Sequence, residues 1–231
     1  MRITTWNCRG GPFEKKALLL NSLHPDVAVI PEMPRPTGTE PNHLWFGDYA
    51  RRGLGVIGSA SYRLTSIEPE PDVPKHVMPV QVNGPIDFVL FAVWTMGQQE
   101  FSYVRAACVA LDKYSPLIRS KQVVFAGDFN SNAIWDKDHP KDLNHSALVR
   151  RMSEHGLISA YHHARAVDHG KEADATYYHQ TKAEQPFHID YCFVPVAWAD
   201  SISGVQIGTY ADWREASDHR PLTVDVPLPK A

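Results

Sequence analysis

Apolar runs in this 231-residue chain are short. A membrane-spanning helix takes about 20 consecutive apolar residues, so we expect no membrane span. The first residues, MRITTWNCRGG, contain no apolar core of the kind that a secretory signal carries. Cysteine is scarce, and the scattered set of Cys8, Cys108 and Cys192 is typical of free thiols in a reducing compartment. These absences together predict a cytoplasmic location.

An excess of positive charge is also missing, since 23 Lys and Arg stand against 26 Asp and Glu for a net charge of −3. Proteins that hold long stretches of duplex DNA usually present a basic face, because neutralising phosphates drives that binding. The charge balance therefore argues against a large nucleic-acid footprint. Local basic pairs remain at Arg51-Arg52, Lys75-His76 and Arg150-Arg151, and their simplest interpretation is solvated surface charge.

The length and composition fit a single domain over residues 1–231, with 43% hydrophobic and 21% charged residues. No internal repeat and no linker-like change of composition divides the chain. Short predicted strands are separated by predicted helices, which indicates α/β or α+β layering. We therefore expect one compact unit rather than two.

Continuous apolar runs such as FVLFAVW and VVFAG predict strands that are covered on both faces. Strands are predicted at 2–8, 26–33, 54–59, 86–95, 122–129, 176–179, 188–194, 202–209 and 221–226. Helices are predicted at 13–23, 101–119 and 144–155. The first and second helices carry an apolar stripe at helical spacing. The third has Asn144 as an N-cap and Gly156 as a C-terminal stop.

Polar side chains follow several predicted strands at the point where each strand runs into a loop. They are Asn7 in TTWNC, Glu32 in VIPEM, Asp128 and Asn130 in GDFN, and Asp218 with His219 in SDHRPL, while Asp190 lies within HIDYCFV. Each residue alone has an ordinary structural explanation, such as a turn or a solvated side chain. As a set they favour a shared site.

The residue types in this set suit phosphate chemistry. Carboxylates such as Glu32 are the hard oxygen ligands that Mg²⁺ prefers, together with water and substrate phosphate. The amides of Asn7 and Asn130 can orient a ligand or donate to a phosphate oxygen. A carboxylate can hold His219 in one tautomer and keep it protonated, so that it stabilises negative charge in a transition state. The set predicts hydrolysis of a phosphodiester or a phosphomonoester.

In their order along the chain, WN, PEM, GDFN, IDY and SDH resemble the signature of the endonuclease/exonuclease/phosphatase superfamily. That superfamily includes deoxyribonuclease I, exonuclease III-type abasic-site endonucleases, inositol polyphosphate 5-phosphatases and sphingomyelinases. The motifs span residues 6–221. The resemblance implies an α/β (α+β) fold, a four-layer α/β/β/α sandwich of two mixed β-sheets with flanking helices, deoxyribonuclease I-like. The active site would lie at one edge, where loops from both sheets meet.

The resemblance also implies a metal site. Glu32 would bind a catalytic Mg²⁺ ion, for which Mn²⁺ could substitute. Asn7 would support that site, and Asp218 would lie near the metal or its water.

The remaining matched residues would carry out the chemistry that the resemblance implies. Asp128 would position or activate the attacking water, or protonate the leaving oxygen. Asn130 would hold the scissile phosphate, and Asp190 would orient His219 toward it.

One part of the chain departs from the family pattern. The family commonly has a His on the middle strand, where this chain has Trp94 in LFAVWTMG. Tyr103 or Arg105 could supply the missing donor, and Trp94 could stack on a base. The simpler interpretation places Trp94 and Tyr103 in structural packing. His188, two residues before Asp190, would share its face in an extended strand, and it would either join the site or pack as an ordinary core residue.

Two local expectations concern GDFN and the histidines. If the strand stays extended through Asp128 and Asn130, both side chains face one pocket while Phe129 turns into the core. Twelve histidines make chance neighbours common. The spacing of His162-His163 and His179 matches no zinc motif, so no zinc site is predicted.

The first functional hypothesis is a Mg²⁺-dependent nuclease that hydrolyses phosphodiester bonds of nucleic acid. The segment between Thr95 and Ser102 is shorter than in relatives that grip duplex DNA, which favours a single-stranded or short substrate. One alternative is a phosphatase or phosphodiesterase for a small phosphorylated metabolite or lipid headgroup. Another is a non-catalytic binding module on the same fold. The sequence leaves open the exact substrate, the number of metals and the oligomeric state.

Overall fold

The computed structural model describes residues 1–38, 42–97, 101 and 103–227. Strands are β1 Arg2–Thr5, β2 Val27–Met33, β3 His43–Tyr49, β4 Arg52–Gly58, β5 Arg63–Ser66, β6 Val77–Asn83, β7 Phe88–Trp94, β8 Val123–Asp128, β9 Leu157–Ser159, β10 Tyr177–Tyr178, β11 Pro186–Phe187, β12 Asp190–Pro195, β13 Gly204–Ile207 and β14 Leu222–Asp225. Helices are α1 Glu14–Asn21, α2 Val104–Lys113, α3 Ser115–Ser120, α4 His145–Glu154, α5 Ala160–Arg165 and α6 Tyr210–Trp213. Short 3₁₀ turns lie at Ala133–Asp138, His179–Thr181 and Val196–Ser201.

The strands form two six-stranded sheets. The first has the order β13-β14-β1-β2-β4-β3, the second has the order β5-β6-β7-β8-β12-β9, and β10 pairs with β11 in a small separate sheet. Parallel pairing joins β1 to β2 and β7 to β8, whereas neighbours such as β2 and β4 or β8 and β12 are antiparallel. Both sheets are therefore mixed, as the resemblance implies.

The two sheets pack face to face, and helices cover their outer faces. Between the sheets lies an apolar core that includes Val29 and Val56 from the first sheet and Leu90 and Val124 from the second. Helices α2 and α4 cover the second sheet, while α1 and α6 cover the first. A fully buried Val or Leu contributes about 1.5–3 kcal/mol relative to an exposed one, so these layers hold the sandwich together. The four-layer prediction is confirmed.

The first and last strands of the chain are neighbours at the centre of the first sheet. β1 and β14 are antiparallel, with Ile3 opposite Val224 and Thr5 opposite Leu222. Arg2 adds an ion pair in which its Nε lies 2.7 Å from Oδ1 of Asp225. This pairing brings the residues just after β1 close to those just before β14.

The helix predictions hold in part. In α4, the Asn144 side chain accepts a hydrogen bond from the backbone N–H of Ala147, as an N-cap does. The predicted helix at 101–119 is two helices, because the chain breaks at Tyr114 ahead of a proline in α3, and Ser102 lies outside the described residues. The apolar stripe predicted for the first helix is wrong, since Leu18 is 71% exposed.

All nine predicted strands are present, although most are shorter than predicted, and β3, β5, β6, β9 and β11 were not predicted. β3 is half-buried along most of its length and gives no continuous apolar run. β6 contains Pro79, which weakens a strand prediction because proline donates no ladder hydrogen bond. Cys8, Cys108 and Cys192 are buried free thiols. Among the described residues, no helix has the length and apolar character needed to cross a bilayer.

Candidate active site

Polar residues from both sheets meet at one edge of the sandwich. Asn7 follows β1, Glu32 lies in β2, Asp128 ends β8 and Asp190 begins β12. His219 precedes β14 and reaches the same point. The structure thus gathers residues that are up to 212 positions apart in the sequence, as Asn7 and His219 are.

A buried carboxylate–imidazole–carboxylate arrangement forms the centre of the site. Asp128 lies directly opposite Asp190 in the antiparallel pair of β8 and β12. Nδ1 of His219 lies 2.8 Å from Oδ2 of Asp190 and donates to it, while its Nε2 lies 3.9 Å from Oδ2 of Asp128. All three residues are at most 5% exposed. The imidazole therefore lies between two carboxylates with its Nδ1 fixed.

The charges in this arrangement shift two pKa values. Burial lowers the pKa of His219, but the charges of Asp190 and Asp128 outweigh burial and raise that pKa to about 9. Burial and the charge of Asp190 raise the pKa of Asp128 to about 7, against the opposing effects of His219 and Asn7. His219 is thus a cation at neutral pH, and Asp128 is poised to gain or lose a proton there.

Asn7 joins the two sheets at the site. Its Nδ2 donates to Oδ2 of Asp128 at 2.9 Å and to Oε1 of Glu32 at 3.4 Å. The hydroxyl of Ser217 donates to the carbonyl oxygen of Asn7 at 2.7 Å and accepts from the backbone N–H of His219 at 3.0 Å. Asn7 therefore positions two carboxylates with its amide nitrogen, while its side-chain oxygen accepts from the backbone N–H of Arg9.

Glu32 projects into the site from an irregular turn of backbone. Its φ of +61° falls in the left-handed region, where the β2–β4 register shifts between Ile30 and Met33. Its Oε2 is buried and has no hydrogen-bond partner among the described residues, although Nη1 of Arg52 lies 3.3 Å away as an ion pair. A buried carboxylate oxygen without a hydrogen bond is a donor atom ready for a cation. A carboxylate oxygen is a ligand of the kind that Mg²⁺ and Mn²⁺ prefer, so Glu32 fits either ion.

Asp128 and Asn130 come together through a turn rather than through strand pleating. β8 ends at Asp128, and Asn130 has a φ of +46°, so the expected extended backbone is wrong at this point. The backbone N–H of Asn130 donates to Oδ1 of Asp128 at 2.9 Å, and its Nδ2 donates to Oδ2 at 3.0 Å. Phe129 is fully buried, as expected. Asn130 thus holds the Asp128 carboxylate from a local Asx-type turn.

Asp218 lies at the rim of the site. Its carboxylate is 17% exposed, and its Oδ2 lies 3.5 Å from Nε of Arg9. Its Oδ1 accepts a hydrogen bond from the hydroxyl of Ser217 at 3.4 Å. The structure therefore places Asp218 beside His219 in the chain, with Arg9 as its ion-pair partner.

Trp94 lies beside the site and is 6% exposed, packed in the core between the sheets. It pairs in register with Asp128 across the parallel strands β7 and β8, and its ring lies 5.0 Å from that of His76. Tyr103 is 44% exposed, and its backbone N–H donates to the carbonyl oxygen of Met96 just beyond Trp94. Arg105 is exposed, with its guanidinium 6.0 Å from the ring of Phe101.

His188 belongs to a different part of the molecule. β12 begins at Asp190, so the extended backbone that would place both side chains on one face does not reach His188. Its Nδ1 donates to the carbonyl oxygen of Asp174 at 2.8 Å, and its ring packs on Tyr161 with centroids 4.5 Å apart. It is 3% exposed. The expectation that His188 could contact substrate at this site is therefore corrected.

The structure adds residues that the motifs did not indicate. The ring of Tyr177 lies 4.7 Å from that of His219, and the two residues form a β-bridge. Arg52, interpreted above as solvated surface charge, pairs with Glu32. A basic pair was visible in the sequence, but nothing there connected Arg52 to Glu32. Tyr177 carries no motif and reaches the site through long-range pairing.

Two clefts open beside the site. One, of about 320 Å³, is lined by Asn130, Trp135, Tyr177, His179, Gln185, Phe187 and Ile189. The other, of about 450 Å³, is lined by Asp48, Tyr49, Arg51, Arg52, His76, Trp94 and Met96. The first is rich in aromatic rings, and the second combines two arginines with an indole.

Two mixed sheets packed face to face, with helices outside and the polar residues gathered at one edge, form a four-layer sandwich of the deoxyribonuclease I-like fold. The chain is similar to the structure of a 3′-5′ exonuclease, NExo, from Neisseria meningitidis, with 19% identity over 98% of this chain and 99% of that chain and a TM-score of 0.72.

Two further structures show the same likeness. The endonuclease domain of TRAS1, a telomere-specific non-LTR retrotransposon, is 14% identical over 99% of both chains with a TM-score of 0.71. An AP endonuclease from Archaeoglobus fulgidus is 15% identical over 99% of this chain and 100% of that chain, with a TM-score of 0.67. No protein-family model and no curated protein sequence matches the chain.

Proposed function

We propose that this chain is a divalent-metal-dependent hydrolase of nucleic-acid phosphate esters, with Mg²⁺ as its metal. The observation that carries the proposal is the buried arrangement in which His219 lies between Asp190 and Asp128. Burying two carboxylates and an imidazolium together costs free energy, and titratable groups gathered in this way are typical of functional sites. Phosphate hydrolysis uses such groups.

Glu32 would hold the metal, with its buried Oε2 as the donor atom and Asn7 keeping the carboxylate in place. When bound, Mg²⁺ would neutralise charge on the phosphate as the ester bond breaks. Asp218, at the rim, would orient water around it. Arg52 pairs with the same oxygen and is 57% exposed at its side chain, so it can swing toward substrate when the metal site fills.

Asp128 would accept a proton from the attacking water. Its pKa of about 7, raised by burial and by Asp190, suits a general base near neutral pH. Asn7 and Asn130 each donate to its Oδ2, which fixes the direction of the carboxylate. Well-positioned proton transfer of this kind contributes about 10²–10⁴-fold to a rate.

His219 would stabilise the phosphate as its negative charge grows. Asp190 fixes Nδ1 and keeps the ring cationic, which leaves Nε2 to donate toward the reacting phosphate. A positioned donor at such a point contributes about 10²–10³-fold. Trp94 stands where the family pattern commonly has a second histidine, so this proposal relies on His219 as the imidazole donor.

The two clefts support nucleic acid as the substrate class. Trp135, Tyr177 and Phe187 offer ring faces on one side of the site, and bases stack on such faces with little regard to sequence. Arg51 and Arg52 on the other side suit the next phosphate of a strand. The net charge of −3 favours a single-stranded or short substrate over a long duplex.

The names of the similar structures describe enzymes that act on nucleic acid. They are described as a 3′-5′ exonuclease, an AP endonuclease, a retrotransposon endonuclease domain, and a NExo 3′ phosphatase bound to a product DNA hairpin. These descriptions belong to those proteins. They favour nucleic-acid esters over lipid headgroups for this chain and suggest testing 3′ ends as well as internal bonds.

A substrate panel tests the proposal. Single-stranded DNA, RNA, a 3′-phosphorylated oligonucleotide, plasmid DNA and bis-p-nitrophenyl phosphate are incubated with Mg²⁺, with and without EDTA. We expect product from oligonucleotides, loss of product in EDTA, and loss of product in Asp128→Asn. Asp72→Asn, an exposed aspartate in a turn, is the matched control.

Each outcome of the panel has a defined meaning. Turnover that survives both EDTA and Asp128→Asn would contradict the proposed site. Release of phosphate from 3′ ends without strand cleavage would identify a nucleic-acid phosphatase. Binding of oligonucleotide without turnover in any metal would favour the non-catalytic binding module.

A further inference from the structure

A second group of buried polar side chains lies apart from the phosphate site. It consists of His145 at the start of α4, His162 in α5, His169 and Glu172 in the loop after α5, and His188 before β12. We call these five residues the histidine cluster. The nucleic-acid chemistry proposed above uses none of them.

The ligand atoms of three cluster residues lie close together, and a fourth residue contacts one of them. A ring nitrogen of His162, a ring nitrogen of His169 and a carboxylate oxygen of Glu172 all lie within 4.8 Å of one another. Nε2 of His145 lies 2.9 Å from Nδ1 of His169. Ligand atoms on a tetrahedral zinc ion are about 3.3 Å apart, given metal–nitrogen distances of about 2.0 Å. The rings of His162 and His169 stack with centroids 3.5 Å apart, so one ring would have to turn out of the stack for both nitrogens to face one ion.

We propose that the histidine cluster binds one Zn²⁺ ion, with His162, His169, Glu172 and His145 as ligands. Three imidazoles and one carboxylate form a donor set that zinc favours, whereas Mg²⁺ prefers oxygen ligands and several waters. The two metal sites of the chain would then differ in chemistry. The phosphate site would bind Mg²⁺, a hard cation, and the histidine cluster would bind Zn²⁺, which is borderline soft.

Hydroxyl groups lie where they can hold two of the imidazoles in the form that binds a metal. Nδ1 of His162 lies 2.7 Å from the hydroxyl of Ser159, and Nδ1 of His145 lies 3.0 Å from the hydroxyl of Ser131. When each Nδ1–H donates to its hydroxyl, Nε2 is left as the donor atom for the ion. Partners of this kind fix the ring and the tautomer of metal-binding histidines.

Zinc binding exchanges existing hydrogen bonds for metal bonds. Without the ion, Nε2 of His162 donates to Oε1 of Glu172 at 2.9 Å, and one proton is shared between His145 and His169. As the ion entered, the proton on Nε2 of His162 would move to Nδ1, which then donates to Ser159, and the proton between His145 and His169 would move to Nε2 of His169. Three neutral imidazoles would then bind the ion with no net loss of protons. Oε1 of Glu172 keeps its hydrogen bonds from Asn132 Nδ2 and the backbone N–H of Gly170.

Burial gives a further reason for an ion at this place. His145 is 1% exposed, and the side chains of His162 and Glu172 are 7% and 5% exposed. Nε2 of His188, whose ring lies 5.7 Å from that of His162, has no hydrogen-bond partner among the described residues. A buried nitrogen without a hydrogen-bond partner is uncommon and needs an explanation, such as a nearby ion.

The cluster is connected to the loop that carries Asn130. Ser131 contacts His145, and Asn132 contacts Glu172, directly after Asn130 in the chain. A bound ion would fasten this loop to α4 and α5. The zinc would therefore be structural, and it would stiffen one side of the phosphate site without touching the substrate.

Metal content and stability test this proposal on the whole protein. The chain is stripped with EDTA, loaded with ZnCl₂, MgCl₂ or CoCl₂, freed of excess metal by gel filtration, and analysed by elemental mass spectrometry. We expect about one Zn²⁺ per chain and a rise of about 5 °C or more in Tm when Zn²⁺ is about 100-fold above its Kd. We expect no such rise with MgCl₂. Co²⁺ bound by the wild type should show the strong visible absorption of four-coordinate cobalt.

Variants locate the ion. His162→Ala and Glu172→Gln should bind zinc at least about tenfold more weakly, while His162→Cys should keep a zinc ligand and retain binding. His163→Ala removes the exposed neighbour on the same helix and is the matched control. Glu32→Gln changes the phosphate site and should keep full zinc content.

The proposal fails if the wild type holds no zinc above the level of a metal-free control. It also fails if zinc persists in Glu172→Gln and is lost in Glu32→Gln, since the ion would then lie in the phosphate site. Six-coordinate cobalt spectra in the wild type would oppose it even where a variant does not fold. None of these readings depends on phosphate-ester hydrolysis, so the proposed function and the zinc site can fail separately.

Discussion

Asp190 lies directly across the β8–β12 pair from Asp128, and the two buried carboxylates have His219 between them. Like charges held this close disfavour joint ionisation unless a cation intervenes. His219 is that cation, and its position explains how two buried acids share one edge of a sheet. The predictions for the phosphate site follow from this arrangement.

Asp128→Asn should lower turnover of an oligonucleotide by about 10²–10⁴-fold, because an amide cannot accept the proton of the attacking water. The side chain keeps its size, and Asn7 and Asn130 can still approach its oxygen. Single-turnover rates with saturating Mg²⁺ measure the effect, and Asp72→Asn should retain the wild-type rate. A wild-type rate in Asp128→Asn would remove Asp128 from the chemistry.

Activity should fall as pH rises through about 9, because His219 loses its proton there. Asp190 raises that pKa, so Asp190→Asn should lower the pKa and move the alkaline limb to lower pH by about one unit or more. Profiles of kcat/KM between pH 6 and 10 give the comparison. An alkaline limb that stays in place in Asp190→Asn would show that another group controls it.

Glu32→Gln should raise the Mg²⁺ concentration needed for half-maximal activity by at least about tenfold, since a neutral amide is a weaker ligand for a hard cation. Excess Mg²⁺ should restore part of the rate. Titration of activity with MgCl₂ and MnCl₂ tests this, with Asp72→Asn again as the control. Equal metal dependence in Glu32→Gln and wild type would assign the metal to other residues.

Trp135→Ala should weaken binding of a single-stranded oligonucleotide by about tenfold, because one aromatic–base stack is worth about 1–3 kcal/mol. The indole packs on Phe187, with ring centroids 5.2 Å apart, along the wall of the aromatic cleft. Hydrolysis of bis-p-nitrophenyl phosphate, which has no base, should change little. Ile134→Ala, at an exposed neighbour outside that wall, is the control. Equal KM values for oligonucleotide would rule out stacking there.

Gly127→Ala should destabilise the fold by about 3 kcal/mol or more. The φ of Gly127 is +147°, and a Cβ there would lie 1.9 Å from the carbonyl oxygen of Val93 on β7. Gly156→Ala is the contrast, since its φ is +71° but the space around it is open, so the cost is about 1 kcal/mol. Urea unfolding followed by circular dichroism measures both. Similar losses in the two variants would contradict the close approach.

Sequence reasoning reached the phosphate site because its residues stand next to strands with strong apolar patterns. Asp128 follows VVFAG and Glu32 follows VAVI, so strand ends could be located without any structure. It failed where side chains meet by long-range packing. Tyr177 approaches His219 from a two-residue strand, and Arg52 finds Glu32 across the β2–β4 pair.

Local backbone geometry also limited what could be predicted from the sequence. The alternation of side chains along a strand predicted that His188 would share a face with Asp190. β12 begins only at Asp190, so the alternation does not extend back to His188. The left-handed backbone of Glu32 cannot be read from residue type, whereas asparagine adopts this region more often than most residues, so Asn130 offered a weak signal. In the same way, no spacing rule links His145, His162 and His169, and the fold alone brings them together.

The pairing of the first strand with the last has a consequence for synthesis of the protein. While β14 is still inside the ribosome, the nascent chain already presents Asn7, Glu32 and Asp128 but not His219, so its proposed chemistry is incomplete. Translation adds about 5–20 residues per second, and the final sheet can close only after the last strand emerges. A nascent chain therefore lacks the imidazole of the proposed site until β14 has emerged.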